Sequence, residues 1–186
     1  PDDVLPTGHD IYAAYLEPGI LGLPDRDFYL DEGEKATAIR NQYVEYIMRL
    51  LTDDAKYSAR DAEIMAGKIL QLEKNLSVHM LSKEDRRQIE KLYNPYSPED
   101  LQGLCHAIDW SAFFLKASES IPGKIIVTEP AFFKFLDEWI KDISIDEIRD
   151  YLIFLTIHHA APFAHASLEE AHFDLYNRKL EGIEQM

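Results

Sequence analysis

Residues Gly19-Ile20-Leu21-Gly22-Leu23-Pro24-Asp25-Arg26-Asp27-Phe28-Tyr29-Leu30 combine fixed backbone geometry with charge more densely than any other stretch of this chain. Glycines at 19 and 22 permit positive φ. Pro24 fixes its own φ and pushes Leu23 toward an extended conformation, and Asp25 and Asp27 can bond back to the nearby main chain. The stretch reads as a rigid, irregular corner leading into a helix, with Arg26 as an ion-paired clamp between its two aspartates. Helical periodicity follows at once. Asp31 and Glu34 stand in capping-box relation, and Ala36, Ile39, Tyr43, Ile47 and Leu50 recur at helical spacing, which predicts a helix over about 32–51.

Upstream of the corner, residues 1–18 lack periodicity and carry Pro1, Pro6, Gly8 and Pro18, so they read as an extended lead-in that Ile11, Tyr12, Tyr15 and Leu16 could pin to the body. Downstream, Ser58 with Asp61 opens a second helix lined by Ala62, Met65, Ile69, Leu72 and Leu76. Ser82 with Asp85 starts a shorter one through Ile89 and Leu92, which Asn94-Pro95 ends. Tyr93 and Asn94 then secure a turn. Ser97-Pro98 caps a brief helix, and Asp109 caps another that carries Trp110, Phe113, Phe114 and Leu115, whose aromatics read as core. The β-branched run Ile125-Ile126-Val127-Thr128 is too short and solitary to build a sheet. Thr128 is a candidate cap for a helix carrying Phe132, Phe133, Leu136, Trp139 and Ile140. Ser144 and Glu147 box the start of an apolar helix interrupted at Pro162. Ser167 to Leu180 resumes it, with Gly182 placed to stop it. The fold class is all-α: an irregular multi-helix domain of about six to eight helices, one domain over 1–186, with the extended lead-in.

Composition bounds the function. A chain of 186 residues can bury roughly 70% of its unfolded surface, enough for a real core. Its 46% hydrophobic content excludes general disorder, and no apolar run is long enough to span a membrane. With 34 acidic and 19 basic residues the formal charge is −15, which repels nucleic-acid phosphates and anionic headgroups. Cys105 is the only cysteine, so no intrachain disulfide forms, and it reads as a small buried hydrophobe on a helix. The compartment stays open between cytoplasmic and exported.

Few motifs carry chemistry. There is no P-loop, no G-x-G-x-x-G and no G-x-S-x-G. The pairs Asp53-Asp54, Glu99-Asp100 and Glu169-Glu170 read as solvated faces. His158, His165 and His172 recur every seven residues, so a continuous helix would set successive imidazoles about 10 Å apart, too far to share a zinc at about 2.0 Å. His165 and Glu169 could approach each other, but two ligands make no catalytic zinc. No catalytic or metal-ligating residue is assigned.

The run Leu21 to Leu30 resembles the segment that precedes the helical half of the neprilysin and endothelin-converting-enzyme family of zinc metalloendopeptidases, whose bacterial members are oligopeptidases. Further pieces follow in that family's order: Asn41 to Leu51, Leu70-Gln71-Leu72-Glu73-Lys74, Leu92-Tyr93-Asn94, Ile108-Asp109-Trp110, His159-Ala160-Ala161-Pro162-Phe163, and Ala171 to Tyr176. Phe28, Glu17-Pro18 and Asn177 depart from its pattern. The family's zinc site is an H-E-x-x-H helix with a downstream glutamate, and no H-E-x-x-H occurs in these residues.

The resemblance therefore implies one portion of a peptidase, cut before the metal. It implies no cofactor of its own and zinc in a separate catalytic domain of the same polypeptide. Its partners would be that domain and peptide substrates, with no nucleic acid and no membrane span. It further implies a wall or lid of a closed cavity that limits substrates to peptides of modest length. Arg26, Tyr93 and Asn94 are the candidate cavity or lid contacts. Two other readings are an acidic helical interaction module that docks a partner through an apolar strip, and a free-standing metalloenzyme built on the histidines.

Overall fold

The computed structural model describes residues 2–4, 10–19 and 21–183. In chain order its elements are β1 (Asp2–Val4), β2 (Asp10–Tyr12), β3 (Ala14–Leu16), α1 (Asp27–Leu30), α2 (Glu34–Asp53), α3 (Ala59–Val78), α4 (Lys83–Arg86) and α5 (Ile89–Leu92). There follow β4 (Pro95–Tyr96), α6 (Pro98–Leu104), α7 (Trp110–Ser118), β5 (Ile125–Val127), α8 (Pro130–Asp142), α9 (Ile145–Ala160) and α10 (Ala166–Phe173). A 3-10 turn, Ala161–Phe163, separates the last two, and a π-helical stretch, Asp174–Glu181, extends α10. The protein is all-α in class. Of its ten α-helices among the described residues, α1, α4 and α5 are single turns and the other seven have seven residues or more.

The backbone sorts into two compact units, one drawn from 1–19 and 79–142, the other from 20–78 and 143–186. The first holds the strands. β1 and β2 pair antiparallel, in keeping with an extended lead-in. Pro1, Pro6, Gly8 and the side chains of Ile11 and Tyr12 lie outside the described residues. Tyr15 is exposed and Leu16 half-buried.

The run 125–127 is not solitary, which corrects the sequence reading. β5 is the centre of a three-stranded sheet, parallel to β3 (Ala14↔Ile125, Leu16↔Val127) and antiparallel to β4 (Pro95↔Ile126). Ile125, Ile126 and Val127 are fully buried, as a strand covered on both faces requires. Its partners were invisible because they are three and two residues long and one contains proline, which only an edge strand tolerates. Thr128 does not cap α8. Its backbone N–H and its hydroxyl both donate to the Leu16 carbonyl, at 3.0 and 3.3 Å, and extend the β3 pairing.

Trp110 and Phe114 of α7 are buried and Trp110 meets Phe133 of α8 edge-on at 6.0 Å, but Phe113 and Leu115 are about half exposed. The expectation that all three aromatics belong to the core fails at Phe113, because a nine-residue helix has one inward face. Ser97 caps α6 as expected and also forms a capping box with Asp100, Asp109 accepts from Ala112 N–H, and Cys105 is fully buried, though at the extended C-cap of α6 rather than on a helix. The predicted Ser82 helix is broken in two at Arg87 and Gln88, with Ser82 capping α4.

In the second unit, α2 and α3 pack along their lengths, and Tyr43, Ile47, Leu50, Ala62, Ala66 and Ile69 on them are buried. α9 packs on both of them and α10 on α2. Ser58 and Ser144 cap as expected, and Gly182 ends the last helix at φ 78°. Asp31 does not box with Glu34. Its carboxylate accepts from Gly33 N–H at 2.8 Å, a short turn that delays the helix start to residue 34.

Candidate functional site: a buried carboxylate beneath the corner

On α3 the buried stripe runs through Ala62, Ala66, Ile69, Glu73 and Leu76, so a glutamate occupies an apolar register and is fully buried. The second unit is built around it. Glu73 Oε1 accepts from Gly22 N–H (3.1 Å) and Tyr151 Oη (3.1 Å). Oε2 accepts from Tyr43 Oη (2.7 Å) and Tyr29 Oη (2.9 Å). The corner, α1, α2 and α9 thus each send one donor to a single side chain on α3.

A second tier locks the first. Leu23 N–H donates to Tyr29 Oη at 2.7 Å, and Tyr176 Oη donates to the Gly22 carbonyl at 2.5 Å, so both main-chain groups of Gly22 are used. Gly22 does not adopt positive φ. Gly182 is the one glycine among the described residues that does. Gly22 is glycine for close approach instead: a Cβ there would lie 1.7 Å from Tyr43 Oη.

The electrostatics follow from burial. Desolvation pushes the Glu73 carboxyl above the usual range, against the pull of its four hydrogen bonds. Desolvation and then the Glu73 charge hold Tyr29, Tyr43 and Tyr151 well above an ordinary phenol. Each tyrosine therefore keeps its proton and donates. Four donors fill the four lone-pair positions of a carboxylate, leaving none for a substrate or metal. Glu73 is a pin that fixes the corner, and it has no vacancy for acid–base work.

A second cluster lies where α9 and α10 meet α2. His158 Nδ1 and Tyr46 Oη are 2.9 Å apart, the His158 and His172 rings lie 6.0 Å apart, and His172 stacks on Tyr176 at 4.5 Å. The seven-residue spacing of these histidines would hold on a continuous helix. The turn at 161–163 folds α10 back, so His172 approaches His158 while His165 faces Asp54 at 3.8 Å rather than Glu169. Burial, then the neighbouring His159 and His172, pull His158 down to about 4, and burial also lowers His172. No group of three or more His, Cys, Asp or Glu among the described residues could hold a metal.

The three residues singled out by sequence fall in different places. Arg26 precedes α1 in the second unit, its carbonyl accepting from Tyr29 and Leu30 N–H and its Nε 4.0 Å from Asp27. Tyr93 and Asn94 belong to the first unit. Tyr93 Oη accepts from Lys124 at 2.7 Å. Asn94 Nδ2 donates to the Lys91 and Val127 carbonyls, while its own carbonyl accepts from Val127 N–H at 2.9 Å, which closes the turn against β5.

A sequence model of peptidase family M13 matches residues 3–186. The chain belongs to peptidase family M13. Among relatives of this M13 chain, an endothelin-converting enzyme homolog of Locusta migratoria is 28% identical over 182 residues, covering 91% of this chain and 24% of that protein. Neprilysin-1 of Caenorhabditis elegans is 30% identical over 115 residues, covering 60% of this chain and 15% of that one. Among solved structures, the open state of the Mycobacterium tuberculosis zinc metalloprotease Zmp1 matches with a TM-score of 0.84 at 23% identity, over 92% of this chain and 27% of that chain. That likeness shows the fold. This M13 chain spans about a quarter of the length of those matched most fully. The residues present do not fit the zinc that the family name of its relatives implies: the sequence has no H-E-x-x-H, and the described histidines and carboxylates form no ligand trio.

Proposed function

We propose that this chain is the non-catalytic helical portion of a longer zinc metalloendopeptidase, in which it forms a wall or lid of the substrate cavity and restricts substrates to peptides of modest length. The observation that carries the reading is the family match over 3–186 in a sequence without a zinc-binding motif. Zmp1 offers a parallel, since it has been seen both open and partly open. In this reading the Glu73 pin sets the shape of the corner, and Arg26, Tyr93 and Asn94 are contacts at the cavity or lid. Chemistry belongs to the remainder of the polypeptide.

The test is hydrolysis. The full gene product containing these residues is expected to cut short peptides in a zinc-dependent manner and to spare folded proteins. The 186-residue chain alone is expected to cut nothing. Zinc-dependent peptide cleavage by the chain alone would defeat the assignment. The interaction-module reading has one observation of its own, the exposed apolar side of α9. It would be favoured by a foreign protein that binds this chain more tightly than the rest of its own polypeptide does.

A further inference from the structure

α9 carries two apolar stripes. Tyr151, Phe154 and His158 turn inward, while Ile145, Ile148 and Leu152 line an open groove of about 620 Å³ beside Ala55. Ile145 is 86% exposed and Leu152 55% exposed, and Phe163 just beyond the helix is 90% exposed. An ordinary surface helix keeps its outward side polar, and an exposed apolar strip opposite the core-facing one marks a contact surface. The rim does not turn this groove into a charged-ligand site. Arg149 is already held by Asp146 at 2.7 Å and Asp150 at 2.8 Å.

We infer that this outer face of α9 is an interdomain surface, covered by the remainder of the same M13 polypeptide. The inference rests on the proposed function. About three-quarters of the length of the locust and mycobacterial relatives lies outside the span this chain matches. A tethered neighbour acts at an effective concentration of about millimolar, which a free partner rarely reaches. A second copy is disfavoured in addition by repulsion between two chains of −15 each.

The test is thiol footprinting of the full gene product. Leu152→Cys and, separately, Ile145→Cys are labelled with a maleimide, beside Glu63→Cys on the exposed face of α3. The expected result is labelling about tenfold or more slower at 152 and 145 than at 63, since access controls the rate. Equal rates at all three positions overturn the inference. Protection that disappears on dilution overturns it too, because the cover is then a second copy. Peptidase activity measured on the same samples separates the two ideas. An active protein with fast labelling at 152 and 145 sinks the interdomain surface alone, and an inactive protein with protected thiols sinks the peptidase reading alone.

Discussion

At the scale of single residues, Glu73 concentrates more of the second unit than any other side chain. Removing it leaves Gly22 N–H, two buried phenols and the part-buried phenol of Tyr151 without an acceptor. Orphaned buried donors cost about 1–3 kcal/mol each, partly relieved by water entry and by the loss of a buried charge. Glu73→Ala is therefore expected to destabilise by about 4 kcal/mol, and Glu73→Gln, which keeps one acceptor oxygen, by about 2 kcal/mol. Urea unfolding measures both. Hydrogen exchange adds a local reading, because the Gly22 amide is expected to lose protection in Glu73→Ala well before global unfolding. Wild-type stability in Glu73→Ala would mean that the pin holds nothing. Part of this site is legible in the sequence. Gly22 stands out, though as a turn glycine rather than a point of close approach, and Tyr43 falls on the helical stripe. The further signal is Glu73 in register with Ile69 and Leu76, a charge on an apolar face that only donors arriving from distant segments can explain.

At the scale of elements, the long helices were legible because their stripes and caps are local. Ser58, Ser97, Asp109 and Ser144 all cap where the spacing places them. What was not legible depends on partners far along the chain: the β3–β5–β4 sheet, and the return of α10 that brings His172 toward His158. That return has a pH consequence. His158 faces Tyr46 from α2, His172 and Tyr176 from the returning segment, and His159 beside it, and among the described residues no carboxylate pairs with it. Its pKa falls from 6.5 in the unfolded chain to about 4 in the fold, so between those values the unfolded state binds more protons. The contribution is complete above pH 6.5 and is lost as pH falls through 4, on the order of 3 kcal/mol. Glu73 acts with opposite sign, since a raised carboxyl favours the fold at low pH and loses that as pH rises through its folded value. Comparing wild type with His158→Phe isolates the histidine: the variant's stability is expected to fall less from pH 6.5 to 4. Parallel pH profiles would show that His158 is not buried neutral.

At the scale of the whole molecule, the chain passes between its two compact units at 19/20, 78/79 and 142/143, so neither unit is a continuous segment. Melting one would leave a long floppy insertion inside the other, with the closure entropy that implies. Residues 1–186 are accordingly expected to unfold as one domain, and the tryptophans supply the test. Trp110 and Trp139, the chain's two tryptophans, both lie in the first unit, whereas Glu73 lies in the second. Tryptophan fluorescence follows the first unit, and far-ultraviolet circular dichroism follows helices in both. In urea the two midpoints are expected to coincide in the wild type and to fall together in Glu73→Ala. A fluorescence midpoint that stays fixed while the dichroism midpoint drops would mean that damage in the second unit never reaches the first. The residues would then form two independently folding bodies.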